Sequence, residues 1–301
     1  MIPDFQKIML PFLNLLMDGT EHSTIETNEY LAKYFGLTED EVNQYLPSGS
    51  QKIFSNRVAW TKSYLKMYGL LEPTKRGCYK ISDNGKQFML QNPTEVNVKI
   101  LKQWASKNSD KSRSTEGSES EENDVNHEIT TPEEQLESNY LLIRQKVAQE
   151  LLQKIKSSSP SFFENLVVDL LVKMGYGGSF KDAGKSIGKS GDEGIDGIIK
   201  EDKLGLDIIY VQAKRWENVV GRPEIQKFVG ALAGQGAKKG VFITTSWFTK
   251  EAKEYQPKND TKIVLIDGEQ LAELMIDHNL AVSTVNVFEI KRIDYDYFEI
   301  E

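Results

Sequence analysis

The chain has 301 residues, 39% of them hydrophobic and 27% charged, which suits two domains that each bury a core. No apolar run reaches the roughly 18 residues of a membrane span. The segment from Met1 to Asp18 is broken by Asp4 and Lys7 and has no small-residue cleavage site behind it, so the expected address is cytoplasmic and no membrane partner is expected. Cys78 is the single cysteine, which excludes an intrachain disulfide and a paired-cysteine zinc site. His22, His127 and His278 lie in three separate neighbourhoods, so carboxylates and lysine must carry any catalysis.

A net charge of −8 and a pI near 5.2 argue at first against a nucleic-acid partner. The distribution argues the other way. Residues 1–50 hold two basic and eight acidic side chains, whereas residues 51–105 hold ten basic and three acidic. A basic face within an acidic protein is the pattern expected of a phosphate-binding surface.

In chain order, the first predicted helix spans Pro3 to Asp18, with Phe5, Ile8, Met9, Phe12, Leu15 and Leu16 at helical spacing before Gly19. A second runs from about Thr24 to Gly36, and Thr38-Glu39-Asp40-Glu41 has the form of a further helix start. A third covers about Lys52 to Tyr68. Its Phe54, Val58 and Leu65 share one face, while Asn56, Trp60, Ser63 and Met67 point roughly the other way, flanked by Lys52 and Lys66 on one edge and Arg57 on the other. Leu70 to Pro73, the turn Lys75-Arg76-Gly77 and Cys78 to Ile81 predict a small hairpin with a basic tip. Three helices followed by a basic hairpin is the order of a winged helix, mainly α with a small β wing. On that reading Asn56, Arg57, Trp60, Lys62 and Lys66 of the third helix and Lys75 and Arg76 of the wing contact DNA. A helical protein-binding module with solvated lysines has the same outline.

From Ser106 to Gln135 there are nine acidic and three basic residues, with Val125 and Ile129 the only aliphatic side chains, and a flexible acidic linker is expected. The predicted organisation is therefore 1–105, linker 106–135, and 136–301. The last part opens with a helical run from about Thr131 to Lys156. After a Ser157-Ser158-Ser159-Pro160 break, a second helix carries Phe163, Leu166, Val167, Leu170, Leu171 and Met174 up to Gly175. Short β-branched runs (195–199, 208–213, 240–245 and 263–266) then alternate with helices near 223–233, 249–255 and 268–277, the pattern of an α/β sheet covered on both sides.

The segment that carries chemistry is Gly191-Asp192-Glu193-Gly194-Ile195-Asp196-Gly197, followed by Tyr210-Val211-Gln212-Ala213-Lys214-Arg215-Trp216. Period two along the second strand sends Gln212 and Lys214 to one face, and Asp196 on a paired strand can face the same side. A carboxylate, an amide oxygen and an ammonium around a small volume fit phosphodiester hydrolysis. The oxygens hold a hard divalent cation, and the lysine orients water or stabilises the charge that develops on phosphorus. Glu164, on the preceding helix, is the best additional acidic ligand. The catalytic set is then Asp196, Gln212, Lys214 and Glu164, with Asp196, Gln212 and Glu164 as ligands to Mg2+ or another divalent cation such as Mn2+.

Asp196, Gln212-Ala213-Lys214 and the upstream Glu164 resemble the PD-(D/E)xK nuclease core in its Gln-x-Lys form. A wider set of segments resembles the Mrr family: Asp192 to Gly197, Val211 to Trp216, Val220-Gly221-Arg222-Pro223-Glu224, Gly230 to Gln235, Gly240 to Ser246, and Asn56-Arg57-Val58-Ala59-Trp60 in the first domain. The resemblance implies a type IV restriction enzyme, in which a winged helix directs a restriction-endonuclease-like domain to methylated double-stranded DNA. It also implies a divalent metal and a homo-oligomer, dimer or tetramer. Gln212 stands where many relatives of the wider fold carry Asp or Glu, which leaves one fewer carboxylate and favours one-metal chemistry.

Gly184-Lys185-Ser186 and Gly188-Lys189-Ser190 suggest a phosphate loop, but the glycine required five positions earlier is Ser179 or Ala183, so no nucleotide cofactor is expected. Thr244, Thr245 and Ser246, at a strand end, fit either a phosphate contact or a helix cap. Two other functions are compatible with the same sequence. One is a noncatalytic DNA-binding regulator, and the other is a structure-specific nuclease such as a junction resolvase.

Overall fold

The computed structural model describes residues 1–108, 130–177, 195–202, 206–257, 260–291 and 293. The chain divides into two compact units, Met1–Leu142 and Ile143–Glu301. No helix among the described residues is long and apolar enough to cross a membrane.

The N-terminal unit begins with α1 (Phe5–Leu16), whose Asp4 cap accepts from the backbone of Gln6 and Lys7 at 3.1 and 2.9 Å. A two-residue strand β1 (His22–Ser23) leads directly into α2 (Thr24–Tyr34), which starts with a Ser23/Glu26 capping box. The short α3 (Glu39–Val42) repeats that device with Thr38 and Glu41. Next come α4 (Ile53–Met67), β2 (Leu71–Lys75) and β3 (Cys78–Ile81), then α5 (Asp83–Met89) and α6 (Val98–Asn108). The predicted hairpin is present with its turn at Gly77, where φ is 72°. Its sheet has a third strand that periodicity did not reveal, because β1 is only two residues long; the order is β1-β3-β2, all antiparallel. Phe5, Ile8, Met9, Phe12 and Leu16 of α1 pack with Phe54, Val58 and Leu65 of α4 and Tyr79 and Ile81 of β3 in one core. Burying each of these larger side chains contributes about 1.5–3 kcal/mol.

Helices enter the predicted linker range from both sides. The last turn of α6 reaches Asn108, and α7 (Pro132–Lys156) begins inside it. Its start is chemically marked: Thr131 accepts from Glu134 N at 3.3 Å, Glu134 Oε2 accepts from Thr131 N at 3.2 Å, and Pro132 takes the first helical position.

In the C-terminal unit α7 is followed by α8 (Pro160–Lys173), capped by Ser159. Then come β4 (Gly197–Lys200), β5 (Ile208–Lys214), α9 (Arg222–Gly234), β6 (Lys239–Thr244), α10 (Lys250–Lys253), β7 (Lys262–Ile266) and α11 (Gly268–Asp277). The sheet order is β4-β5-β6-β7; β4 runs antiparallel to β5, and β5, β6 and β7 are parallel, so the unit is mixed α/β. Ile199, Ile209, Val211, Ala213, Val241 and Ile243 form one core with Phe163, Leu166 and Leu170 of α8 and Leu271 and Met275 of α11. Phe242 of β6 is buried with Ile225, Phe228 and Leu232 of α9 in a second core, against which Tyr210 packs. Helices therefore cover both faces. Gly268 is required by close approach, since a Cβ there would lie 2.6 Å from the carbonyl oxygen of Thr245 at the end of β6.

Candidate functional site

Lys214 is the last residue of β5 and Gln212 lies two before it; both alternate with the core residues Val211 and Ala213. Across the parallel ladder Gln212 pairs with Phe242 and Lys214 with Thr244, which places Gln212 in a buried position, 6% exposed. Asp196 stands one residue before β4, not within it as the apolar run suggested. Regular pairing with β5 stops at Gly197 opposite Val211. Beyond that point Asp196 N donates to Val211 O at 2.9 Å, and the Asp196 carboxylate Oδ2 accepts the Ala213 N–H at 2.8 Å. A side-chain oxygen thus completes the ladder where a backbone carbonyl would otherwise do so. The consequence is that the carboxylate is held against the strand that carries Gln212 and Lys214.

Glu164 lies in the second turn of α8 and is half-buried. Burial raises its carboxyl above the usual glutamate value; the negative charge of Asp196 raises it further, and Lys214 opposes both. Of the four expected catalytic residues, Asp196 and Lys214 therefore both lie within electrostatic reach of Glu164. Two carboxylates that repel across a partly desolvated volume form an arrangement a divalent cation relieves, and their oxygens are of the hard type such a cation takes. Among the described residues no group of three or more His, Cys, Asp or Glu side chains could hold a metal. A cation would be held by two carboxylates, with the Gln212 amide oxygen as the third protein donor.

The backbone at Lys214 is braced from β6. The Lys214 carbonyl accepts from Thr245 N at 3.2 Å and from Thr244 Oγ1 at 2.9 Å, and Thr245 Oγ1 donates to Trp216 O at 2.8 Å. Ser246 Oγ donates to Glu217 O at 3.2 Å. All three hydroxyl residues are buried, and the cap of α10 is Thr249 instead. Their part is to fix the 214–217 backbone, a role whose sequence signal was a Thr-Thr-Ser run at the end of an adjacent strand. Arg215 adds a further tie by donating from Nη1 to Lys156 O, the last carbonyl of α7, at 2.7 Å. The two Gly-Lys-Ser tripeptides and the pair Asp192 and Glu193 lie outside the described residues.

The candidate DNA contacts of the N-terminal unit fall into two groups. Asn56, expected on an open face, is 4% exposed and accepts from Thr131 Oγ1 at 2.6 Å. Arg57 donates to both carboxylate oxygens of Glu134, at 2.7 and 3.3 Å, and to the carbonyls of Ile2 and Pro3, each at 3.0 Å. Trp60 Nε1 donates to Glu133 Oε2 at 2.5 Å. The start of α7 thus covers the N-terminal half of this side of α4. Periodicity within α4 could not show that, because the covering residues lie more than seventy positions away. In the second group Lys66, Lys75 and Arg76 are exposed, with Lys75 paired to Glu21 at 2.5 Å. Lys62 is half-buried with its ammonium 5.4 Å from the Tyr79 ring centroid; desolvation, then repulsion from Lys66, holds its pKa below the usual lysine value.

Residues 155–275 match a family described as restriction endonuclease, and residues 5–91 match the Mrr N-terminal domain. The chain is 37% identical over 313 residues to the type IV methyl-directed restriction enzyme EcoKMrr of Escherichia coli (strain K12), with 99% of each chain covered. Among solved structures, the MspJI restriction endonuclease in complex with a 27-mer oligonucleotide is 15% identical; 66% of this chain and 47% of that one are covered, at a TM-score of 0.25 that carries no argument about the site. On the two domain matches and the full-length identity, the chain belongs to the Mrr family of restriction endonucleases.

Proposed function

We propose that this chain is a type IV restriction endonuclease that cleaves methylated double-stranded DNA by divalent-metal-dependent hydrolysis of phosphodiester bonds. The chemistry is supported by the charges of Asp196 and Lys214 acting on Glu164 and by the hydrogen bond that holds the Asp196 carboxylate against β5. Preference for methylated DNA is supported by the full-length similarity to an enzyme described as methyl-directed.

When bound, Mg2+ or another divalent cation such as Mn2+ supplies Lewis-acid charge at the scissile phosphate. Asp196, Glu164 and Gln212 are the residues that would hold it. The Lys214 ammonium orients the attacking water and offsets the negative charge that builds on the phosphate oxygens. With its carbonyl fixed by Thr244 and Thr245, Lys214 keeps its backbone in place as that charge develops. Because each such site cuts one strand, a double-strand break calls for assembly as a homo-oligomer, dimer or tetramer.

The N-terminal unit is read as a winged helix on the order α4, β2, β3 and the third strand β1, with α4 as the recognition helix and the β2–β3 hairpin as the wing. Lys62, Lys66, Lys75 and Arg76 provide phosphate contacts in this reading, and Asn56, Arg57 and Trp60 border the same surface. The division into a DNA-reading part at 1–105, a connecting part at 106–135 and a nuclease part at 136–301 belongs to this proposal.

The test is cleavage of matched methylated and unmethylated plasmids with Mg2+, with a chelator control. Selective cutting of the methylated plasmid is expected. Equal cutting of both removes the methylation preference and keeps the nuclease. Intact binding without cutting removes the nuclease reading.

A further inference from the structure

The contacts on α4 have a common chemistry. Between Thr131 and Glu137 the chain carries three carboxylates, and each engages a donor of the N-terminal unit. Glu134 takes the Arg57 guanidinium with both oxygens, Glu133 takes the Trp60 indole N–H, and Glu137 takes the Ser48 backbone N–H at 3.0 Å and also its hydroxyl. A guanidinium forked onto two oxygens, an indole N–H and a serine N–H with its hydroxyl are donors of the kind that grip DNA phosphates. Here carboxylate oxygens fill those positions. Of these donors Arg57 and Trp60 ride on α4 itself, beside its open stripe, where Ala59, Ser63 and Lys66 are exposed. The acidic segment lies outside both parts of the chain that match the family models, which end at residue 91 and resume at 155.

We propose that Thr131–Glu137 is an acidic clasp that competes with DNA phosphate for Arg57 and Trp60 of α4 and for Ser48 ahead of it, so that DNA must displace the start of α7 to bind at full strength. This rests on the reading of α4 as the DNA-reading helix. The closed clasp lowers apparent affinity by the fraction of molecules in which it is open. It is anchored by one hydrogen bond that DNA cannot replace, from the fully buried Thr131 hydroxyl to Asn56, which gives the closed state a defined seat. Its remaining contacts are charge-assisted and weaken with salt.

The experiment is DNA binding by the full chain without divalent cation, so that nothing is cut, using a fluorescent methylated duplex and its unmethylated counterpart. The clasp variant is Glu133→Gln/Glu134→Gln/Glu137→Gln, which keeps the capping geometry of α7 and removes three negative charges. Its affinity for both duplexes is expected to rise about tenfold at low salt, with the gain shrinking as salt increases. Unchanged or weaker binding, with or without a lower Tm, overturns the clasp and leaves the contacts as structural glue. Should the triple variant not fold, Glu133→Gln alone is expected to show about a threefold gain by the same competition; no gain overturns the proposal. As a second readout, the backbone amides of residues 131–140 in the wild-type chain should exchange hydrogen faster when DNA is bound, and protection there would also overturn it. Binding by Lys66→Ala/Lys75→Ala/Arg76→Ala, run in parallel, tests the DNA face itself. If that variant binds as wild type, the DNA reading fails independently of the clasp.

Discussion

The two units position their polar residues by different means. At the end of β5 the candidate site residues are set by backbone geometry. Strand alternation orients Gln212 and Lys214, the ladder with β4 brings Asp196 alongside, and the Thr244 hydroxyl and the Thr245 N–H fix the carbonyl of Lys214. On α4 the corresponding residues ride a helix surface, and their environment is decided by a segment 77 positions away in the case of Arg57 and Glu134. A strand end is defined by neighbours that hydrogen-bond to it in fixed register, whereas a helix face is defined by whatever packs on it. Polar residues of the first kind are held in place before any ligand arrives. Those of the second kind can exchange partners.

Breaking the first kind should give the largest effect. Lys214→Ala and Asp196→Asn are each expected to lower the cleavage rate about a thousandfold or more, because charge on the phosphate is no longer stabilised. DNA affinity should stay within about threefold, because the proposed DNA contacts are on the N-terminal unit. Cleavage and binding measured on the same preparations decide this, and a parallel fall in both would place these residues in binding instead.

The next effect belongs to the N-terminal unit. Lys66→Ala/Lys75→Ala/Arg76→Ala should weaken binding about thirtyfold at moderate salt and reduce the slope of log affinity against log salt by about 2–3, close to one for each phosphate left without its cationic side chain. An unchanged slope would move the DNA face off the wing and the open stripe of α4.

Much of this division was legible in the sequence. The helical apolar spacing of α1 and α8, the Gly77 turn and the strand at 208–213 were all visible, because each is a local pattern with a local cause. The placement of Asp196 beside the strand of Gln212 and Lys214 was legible for a related reason: parity along one strand and adjacency of the next are short-range rules. Two things were not. β1 is too short for a period. The burial of Asn56 against Thr131 depends on a contact across a stretch that reads as linker, where a Thr-Pro-Glu-Glu helix start was the available hint.

The smallest predicted effect probes the repulsion within the site. The carboxyl of Glu164 is raised chiefly by burial and then by Asp196. A raised carboxyl contributes stability that is full below its unfolded pKa and is lost as pH rises through its folded pKa. Above that range the ionised group costs stability. Without added cation, Glu164→Gln should therefore raise Tm at neutral pH by about 1–2 °C, a modest gain because the group is only partly withdrawn from water. The difference should close as pH falls through the raised value towards the ordinary glutamate range. Thermal melts across that interval check the sign, and a destabilised variant at neutral pH would mean that Glu164 is held by contacts stronger than its repulsion.

The hydrogen bond from Ala213 N–H to Asp196 Oδ2 ties a backbone amide to the carboxylate that a cation would claim. Charge drawn out of that carboxylate alters the amide directly, so the nitrogen and proton resonances of Ala213 form a spectroscopic gauge inside β5. Titration of Mg2+ into DNA-free protein should shift that one signal early and saturably, and the same titration of Asp196→Asn should leave it still. The strand that carries the lysine would in this way report when the site is loaded, ahead of any turnover.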